Sequence, residues 1–463
     1  MEDRISIIRW LDKLDAAIAL EATSLRSIGA VLDRPCMNIV MFTNTFSPHV
    51  GGVAHSVASL SEMLRELGHA VLIVAPDYAE AARSESDILR VPAIQNFNGS
   101  DFSVPIPFTR SLEKTLNAFE PDVVHSHHPF LLGDTALRTA ASRALPTIFT
   151  YHTRYELYGH YVAQDAPVLQ RLVLSLAAGY CDLCDHIIAP THSIADLLRH
   201  HDVTKPITTI PTGIDLARFA DGDRLRLRSR LGIVETDFIV GHVGRLAPEK
   251  NLTYLTEAVC LFLLQNERAH FVVAGDGASA SEMRRMLEEA GLQDRCHLLG
   301  VVEGADLADV YAAMDVFAFS SRSETQGLVL VEAMATGVPV VGLDEPGVRE
   351  VVRTGKNGYL LSADASPGQF SKALARVRAL TPPGRAALQE EARLTAASYS
   401  QSSTAQQTVD LYSHAVASHA GARATRTRSF EATLEGLKQE WRILANLANA
   451  VKDAVATRSD STQ

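Results

Sequence analysis

The chain has 463 residues, and none of its apolar runs reaches the roughly 20 residues that a bilayer-spanning helix needs. Its first residues, Glu2, Asp3 and Arg4, lack the basic-then-apolar pattern of a secretory signal. A cytoplasmic protein is expected, with at most a peripheral hold on the inner face of a membrane. Basic residues are in deficit: 43 Lys and Arg stand against 54 Asp and Glu, a net charge of −11. Nucleic-acid binding wants a basic footprint, so no nucleic-acid partner is expected. Cysteine is sparse, with five residues at 36, 181, 184, 260 and 296. An odd, scattered set speaks for reduced thiols rather than a disulfide framework. Cys181 and Cys184 form a single C-x-x-C inside the helical run GYCDLCDHI. With no second pair they read as small packed residues, not as zinc or redox ligands. The first glycine loop also lacks the G-x-G-x-x-G spacing of a dinucleotide site.

What is present is ordinary for a soluble enzyme, 46% hydrophobic and 21% charged, in a chain long enough for two domains. Residues 1–35 carry Ile5, Ile8, Leu11, Leu14 and Ile18 at helical spacing, which predicts an amphipathic extension packed on the body. Met37–Phe42 predicts a buried strand. Gly51 and Gly52 then lead into a helix over Val53–Leu67, stopped by Gly68. Paired glycines let backbone approach a ligand, and a helix start offers amides to phosphate; a plain tight turn is the bland alternative. Further strands are expected at Ala70–Val74, Asp122–His125, Thr147–Tyr151, His186–Ala189 and Ile207–Ile210, with Ser193 capping a helix. Alternating strands and helices make a parallel, doubly wound sheet, and ligands sit beyond the carboxyl ends of its strands. Two histidine-bearing loops leave such ends: His125-Ser126-His127-His128 and Tyr151-His152-Thr153. No acidic or cysteine ligand accompanies the first at metal spacing, so no metal is expected there. Tyr151–Tyr161 (YHTRYELYGHY) is too rich in Tyr and His for a core helix. It reads as a binding loop, since tyrosine suits sugar rings and amphipathic acceptors.

The pattern repeats. Phe238–Val243, His270–Ala274, Cys296–Gly300, Asp315–Phe319, Val338–Val341 and Tyr359–Leu361 predict a second sheet, with a helix over Gly347–Thr354. After the first of these strands, Gly244-Arg245-Leu246-Ala247-Pro248-Glu249-Lys250-Asn251 sets two fixed positive charges, Arg245 and Lys250, for a diphosphate. Gly275-Asp276-Gly277 is another glycine turn, expected to face the nucleotide. The stretch Ser320–Val341 (SSRSETQGLVLVEAMATGVPVV) places Glu324 and Glu332 eight residues apart. A helix starting near Glu324 would hold both carboxylates on one side, about 12 Å apart. Thr325, Gln326, Gly327 and Leu328 would then offer amides to a diphosphate. That suits a nucleotide sugar, with sugar hydroxyls at one acid and ribose at the other; a surface helix with two solvated glutamates is the bland alternative. The run Arg224, Arg226, Arg228 and Arg230 reads as a solvated linker-helix face. Residues 367–397 and Ala405–Ala417 read as helical, Gly421–Thr427 as a linker, and Ser429–Ala456 as a last amphipathic helix with Leu434, Leu437, Trp441, Leu444, Leu447 and Val451. The terminal helices could pack on the body, pair two copies of the chain as a homodimer, or touch a membrane.

Three of these stretches resemble one family. Glu324 and Glu332 with Gly337-Val338-Pro339-Val340-Val341, the Gly244–Asn251 stretch, and Pro211-Thr212-Gly213-Ile214-Asp215 resemble motifs of the retaining GT-B glycosyltransferases of family 4. These are E-x7-E, G-R-L-x-x-E-K-G/N and the P-x-G-[IV]-D hinge. Asn251 stands where glycine is commoner. The resemblance, spanning roughly 37–418, implies an α/β fold of two Rossmann-like doubly wound domains facing a central cleft. Residues 36–210 plus a return helix at 400–418 would form the acceptor domain, and 211–399 the nucleotide-sugar domain. Residues 1–35 and 419–463 would lie outside both. It further implies metal-independent, retaining transfer of a hexose to a hydroxyl, with UDP-glucose as the donor it points to and no further cofactor. Glu324 would hold the sugar 3- and 4-hydroxyls, Glu332 the ribose, and Arg245 and Lys250 the diphosphate. His127 would sit beside the sugar, and no protein nucleophile is assigned. Gly51, Gly52, Gly244, Gly275, Asp276, Thr325, Gln326, Gly327 and Leu328 would complete the donor site. The aromatic loop resembles the HTxYexYxHY segment of bacterial diacylglycerol glucosyltransferases at His152, Thr153, Tyr155, Glu156, Tyr158, His160 and Tyr161. That points to a lipid acceptor and leaves a soluble sugar or polyol open. A catalytically silent sugar-nucleotide sensor, an inverting or epimerase-type enzyme, and a pyridoxal phosphorylase are the weaker readings. Every charged motif residue is in place, and no lysine stands in a recognisable Schiff-base setting.

Overall fold

Short runs of aliphatic and β-branched residues, buried on both faces, build two parallel sheets. The structure is a computed structural model that describes residues 36–48, 51–78, 86–94, 104–105, 110–154, 167–424 and 438–450. The expected helix within 1–35 lies outside the described residues, as do Tyr155, Glu156, Tyr158, His160 and Tyr161 of the aromatic loop. The first sheet comprises β1 (Asn38–Phe42), β2 (Ala70–Pro76), β3 (Ile88–Val91), β6 (Val123–Ser126), β7 (Thr147–Thr150), β8 (His186–Ala189) and β9 (Ile207–Thr209). Their order is β3-β2-β1-β6-β7-β8-β9, while β4 (Ala93–Ile94) and β5 (Val104–Pro105) form a separate antiparallel pair. The second sheet comprises β10 (Phe238–Val243), β11 (Ala269–Ala274), β12 (Cys296–Leu298), β13 (Val316–Phe319), β14 (Val340–Leu343) and β15 (Gly358–Leu361), in the order β12-β11-β10-β13-β14-β15.

In each sheet the order reverses beside the first strand, and crevices open at such switch points. The loops there follow β1 and β6 in one domain, and β10 and β13 in the other. They carry most of the motif residues. The chain crosses between domains twice, side by side. Ile214 N–H donates to the Tyr399 carbonyl at 2.8 Å, and Gln401 N–H donates to the Ile214 carbonyl at 3.1 Å. Gly213 must lack a side chain here, because a Cβ would lie 2.5 Å from the Gln401 Cα. Past the crossing, the helix Gln401–Ala424 returns to the first domain and buries Val409, Tyr412 and Ala415 in its core.

Several expectations are corrected. The helix after Glu324 begins at Leu328, not near Glu324, and spans Leu328–Ala335. Gly327, at φ +72°, breaks the backbone just before it. Residues 347–351 form turns rather than a helix, with Gly347 at φ +80°. The helix His192–His200 is capped by Thr191, whose hydroxyl accepts from Ile194 N–H, and not by Ser193. Arg228 is buried at 1% exposure instead of lying on a solvated face: helical periodicity turns it inward, where Asp315 pairs with it at 2.8 Å. Residues 367–397 divide into Pro367–Arg378 and Pro382–Ala397, because Pro382 opens a new helix capped by Thr381. The return helix runs on to Ala424, through part of the expected linker. Cys181 and Cys184 are buried core residues.

Residues 438–450 are helical and lie on the helix Pro167–Leu183, where Asn446 Nδ2 donates to the Leu176 carbonyl at 3.2 Å. Arg138 and Glu440 pair across the same contact. Trp441, Leu444 and Leu447 face outward, Trp441 at 74% exposure. Among the described residues no helix is long and apolar enough to cross a membrane.

Candidate active site

Loops from both domains line a cleft of about 840 Å³, within the range that holds a small-molecule ligand. One wall is the Gly244–Lys250 loop. Lys250 Nζ meets Glu324 Oε1 at 2.5 Å, with side chains only 18% and 14% exposed. Arg245 reaches Glu249 at 2.5 Å and is half-exposed at the rim. The residue after Lys250 explains the glycine-or-asparagine choice in the motif. Asn251 sits at φ +57°, a left-handed conformation that Asn tolerates better than most residues. Its carbonyl and that of Lys250 both accept from Ser320 Oγ at 3.0 Å. This ties the lysine loop to the loop that carries Glu324.

Gly51 and Gly52 form the facing wall and start the helix Gly52–Glu66. Leu328 and Val329 open the Leu328–Ala335 helix onto the cleft, and no side chain caps it. First-turn amides have no partner within their own helix. With the positive end of the dipole and two nearby cations, this wall suits an anion. Glu332 lies further along in the cleft, its Oε2 accepting from Tyr311 Oη–H at 2.6 Å. Burial raises its pKa, and the tyrosine hydrogen bond and the nearby Arg218 charge oppose that rise.

The Glu324 loop also clasps the hinge and the first domain. Gln326 uses its whole amide on Thr212, its Oε1 accepting from the backbone N–H at 2.6 Å and its Nε2 donating to the carbonyl at 2.8 Å. Thr325 Oγ1 donates to the His152 carbonyl at 3.0 Å, and Thr191 Oγ1 donates to the Thr325 carbonyl at 2.9 Å. Glu350 accepts from Ser193 N–H and from Gly347 N–H, both at 2.9 Å. The two domains are therefore held together through the residues that flank Glu324.

The histidines are wired to each other. His127 Nδ1 and His152 Nε2 lie 2.9 Å apart, and His125 bridges Tyr412 Oη (2.6 Å) and Thr150 Oγ1 (2.7 Å). Burial pulls His125 down to about 3 and His152 to about 4, and holds His127 well below its usual value. All three rings are neutral near pH 7 by this account. Among the described residues no group of three or more His, Cys, Asp or Glu could hold a metal ion.

Gly51, Gly52, His152, Gly244, Arg245, Lys250, Glu324, Thr325, Gln326, Gly327, Leu328 and Glu332 all line the cleft. His127 does not: it is 1% exposed and stands behind His152. Gly275 and Asp276 do not line it either. Gly275 packs against the Gly244 carbonyl, which a Cβ would approach to 1.9 Å, and the Asp276 carbonyl accepts from Leu246 N–H at 2.8 Å. They brace the lysine loop from the rear. Sequence reasoning missed His55, Arg218 and His242, which also line the cleft. His242 alternates inward on a strand that reads as plain core. Burial lowers it to about 4, and its Nδ1 reaches the Ala318 carbonyl at 3.0 Å. Arg218 follows the hinge motif by three positions from Asp215, a spacing with no signal of its own.

Two Rossmann-like domains meeting over such a cleft are the plan of a GT-B glycosyltransferase. Residues 50–218 match the model of Glycosyltransferase Family 4, and residues 223–395 match that of Glycosyl transferases group 1. The chain belongs to this family, whose members transfer a sugar from a nucleotide sugar. It is 32% identical to the alpha-monoglucosyldiacylglycerol synthase of Streptococcus pneumoniae, over 68% of this chain and 73% of that one. It is 30% identical to a GDP-mannose-dependent alpha-mannosyltransferase of Mycobacterium tuberculosis, over 70% of this chain and 84% of that one. In fold it is similar to HepE of Anabaena, solved in complex with UDP, with a TM-score of 0.65 and 20% identity, covering 82% of this chain and 100% of that one.

Proposed function

We propose that the protein is a retaining α-glucosyltransferase that moves glucose from UDP-glucose to the hydroxyl of a diacylglycerol or a related lipid. The observation that carries this reading is the half-buried Lys250–Glu324 pair at 2.5 Å, set in a cleft whose walls come from both domains. On this reading Lys250, Arg245 and the amides of Leu328 and Val329 take the diphosphate, with Gly51 and Gly52 opposite. Glu324 takes the 3- and 4-hydroxyls of the hexose and Glu332 the ribose. The diphosphate's negative charge grows as it leaves, and preorganised cations and amides stabilise it in the transition state. The bond from the sugar's anomeric carbon to the β-phosphate oxygen breaks as the bond to the acceptor oxygen forms on the same face. The acceptor's proton passes to the departing phosphate oxygen, so no protein nucleophile is needed. His152 lies on the acceptor side, and His127 supports it from behind. The lipid acceptor rests on the diacylglycerol synthase relative and on the aromatic loop that begins at His152. A lipid acceptor also calls for peripheral contact with a membrane surface.

A mannose donor is the second reading, favoured by the 30% identical GDP-mannose-dependent relative. Purified protein is given UDP-glucose or GDP-mannose with diacylglycerol vesicles, with and without anionic lipid, and EDTA throughout. An α-linked glucolipid is expected from UDP-glucose. Nucleotide release without a lipid product would move the acceptor to soluble sugars and polyols. No release from any donor would overturn the reading in favour of a sugar-nucleotide sensor.

A further inference from the structure

Behind His127 lies a second, smaller space of about 30 Å³. It is bounded by the first helix of the N-terminal domain, the end of β7, the hinge, and the return helix Gln401–Ala424. Two of its lining groups are polar, buried and without a hydrogen-bond partner among the described residues: His127 Nε2 and Thr404 Oγ1. The residues are 1% and 7% exposed. Neighbouring hydroxyls are engaged, Thr408 with the Thr404 carbonyl, Thr150 with His125, and Ser56 with Thr212. Leaving one buried polar group unsatisfied costs about 1–3 kcal/mol. A space above roughly 10–15 Å³ with polar partners suffices for a water.

We propose that this space is a structural water site anchored by Thr404 and His127, and that Thr404 is thereby a positioning residue that sets the tautomer of His127 and, through it, of His152. The logic is a chain of donors. The Thr404 hydroxyl donates to the water, and the water donates to His127 Nε2. His127 then carries its proton on Nδ1 and donates it to His152 Nε2, across the 2.9 Å contact. His152 in turn carries its own proton on Nδ1. Both rings are neutral because burial disfavours their cations, so each holds one N–H, and a donor placed at His127 Nε2 sets the order along the chain. His152, which lines the reaction cleft, is thereby a hydrogen-bond donor and not a base. This agrees with a reaction in which the departing phosphate takes the acceptor's proton, and its kinetic consequence rests on the function proposed above. A residue of the return helix, far along the chain from every sugar-binding motif, would thus orient the acceptor side of the site.

The test uses the full chain labelled with ¹⁵N-histidine, and long-range ¹H–¹⁵N NMR at neutral pH. Signals are assigned by their loss in His127→Gln and His152→Asn. Both rings are expected with Nδ1 protonated and Nε2 bare. Thr404→Val, which keeps the shape and removes the hydroxyl, should mix the tautomers. It should also lower kcat for nucleotide release from UDP-glucose by about tenfold with donor KM nearly unchanged, and Thr404→Ser should restore both. A protonated Nε2 in either wild-type ring would overturn the proposal, as would a Val variant with wild-type tautomers. Thr404→Ala gives the same comparison if the Val variant does not fold. Should UDP-glucose not be a donor, the kinetic arm reports on the function, and the spectra alone decide the tautomer.

Discussion

Gly347 offers the sharpest test of whether Glu324 must be held in place. The residue sits at φ +80°, and a Cβ there would lie 2.9 Å from the Glu324 Cβ and 3.1 Å from the Gln326 amide nitrogen. Non-bonded carbons rest about 3.5–4.0 Å apart. In Gly347→Ala, the Glu324 loop and the 347 turn must therefore part by roughly 0.6–1 Å, which presses on Glu324. The left-handed backbone alone costs an L-residue about 1–2 kcal/mol, which confuses the comparison with wild type. Gly355 removes that confusion. It sits at φ +78° in the same domain, and a Cβ there meets nothing within 4 Å. Gly355→Ala carries the backbone strain without the push on Glu324. A displacement of about 1 Å in a reacting group can cost on the order of a hundredfold in rate. We expect Gly347→Ala to lose roughly 30- to 100-fold in kcat/KM for UDP-glucose, and Gly355→Ala no more than about threefold. Melting temperatures should fall in both, and further in Gly347→Ala, where the clash adds to the strain. Nucleotide-release kinetics and thermal melts of the two variants decide the matter. Equal activities would refute the reasoning, since Glu324 would then tolerate displacement.

Three other outcomes are expected. Lys250→Ala strips the cation from a half-buried carboxylate and should lower turnover more than about tenfold; near-normal turnover would remove Lys250 from the mechanism. Tyr311→Phe removes a hydrogen bond that opposes the burial-driven rise of Glu332 above the ordinary 4.5. A raised acid is protonated as pH falls toward that raised value, so donor KM should climb on the acid side above 4.5 and begin climbing at higher pH in the variant. An acid limb that stays put or moves down would contradict this sign. Gln326→Ala leaves the Thr212 N–H and carbonyl without their side-chain partners, a loss of about 1–3 kcal/mol for the contact between the Glu324 loop and the hinge. X-ray scattering should show a larger radius of gyration than wild type, and an unchanged curve would show that the clasp does not hold the domains.

The alternation of strand and helix was legible because periodicity is a local property: His186–Ala189 and Phe238–Val243 appear in the structure with the bounds their apolar runs predict. The GT-B plan and the family came from the resemblance of three motifs to those of known glycosyltransferases. Glycines and basic residues after strands mark close backbone approach and anion binding wherever they occur. Local signals misled where a contact distant in sequence decides. Arg228 reads as one of four solvated arginines, yet Asp315 and the Ala313 carbonyl draw it into the core. Glu324 reads as the start of a helix, yet its loop spends its polar groups on Thr212 of the hinge and on His152 and Thr191 of the other domain.

From its own residues the sequence determined two doubly wound domains, the glycine loops, the Arg245 and Lys250 charges and the two glutamates, because each is written within a few consecutive positions. Only the tertiary structure decided which candidates share a surface. It brought Lys250 against Glu324, 74 positions apart, and put His127 behind His152. It moved Gly275 and Asp276 to the rear of the lysine loop, and it set Thr404 and a histidine 277 residues earlier around one small space. Such pairings depend on how two sheets and a returning helix pack, and packing is a sum over contacts that no stretch of sequence contains by itself.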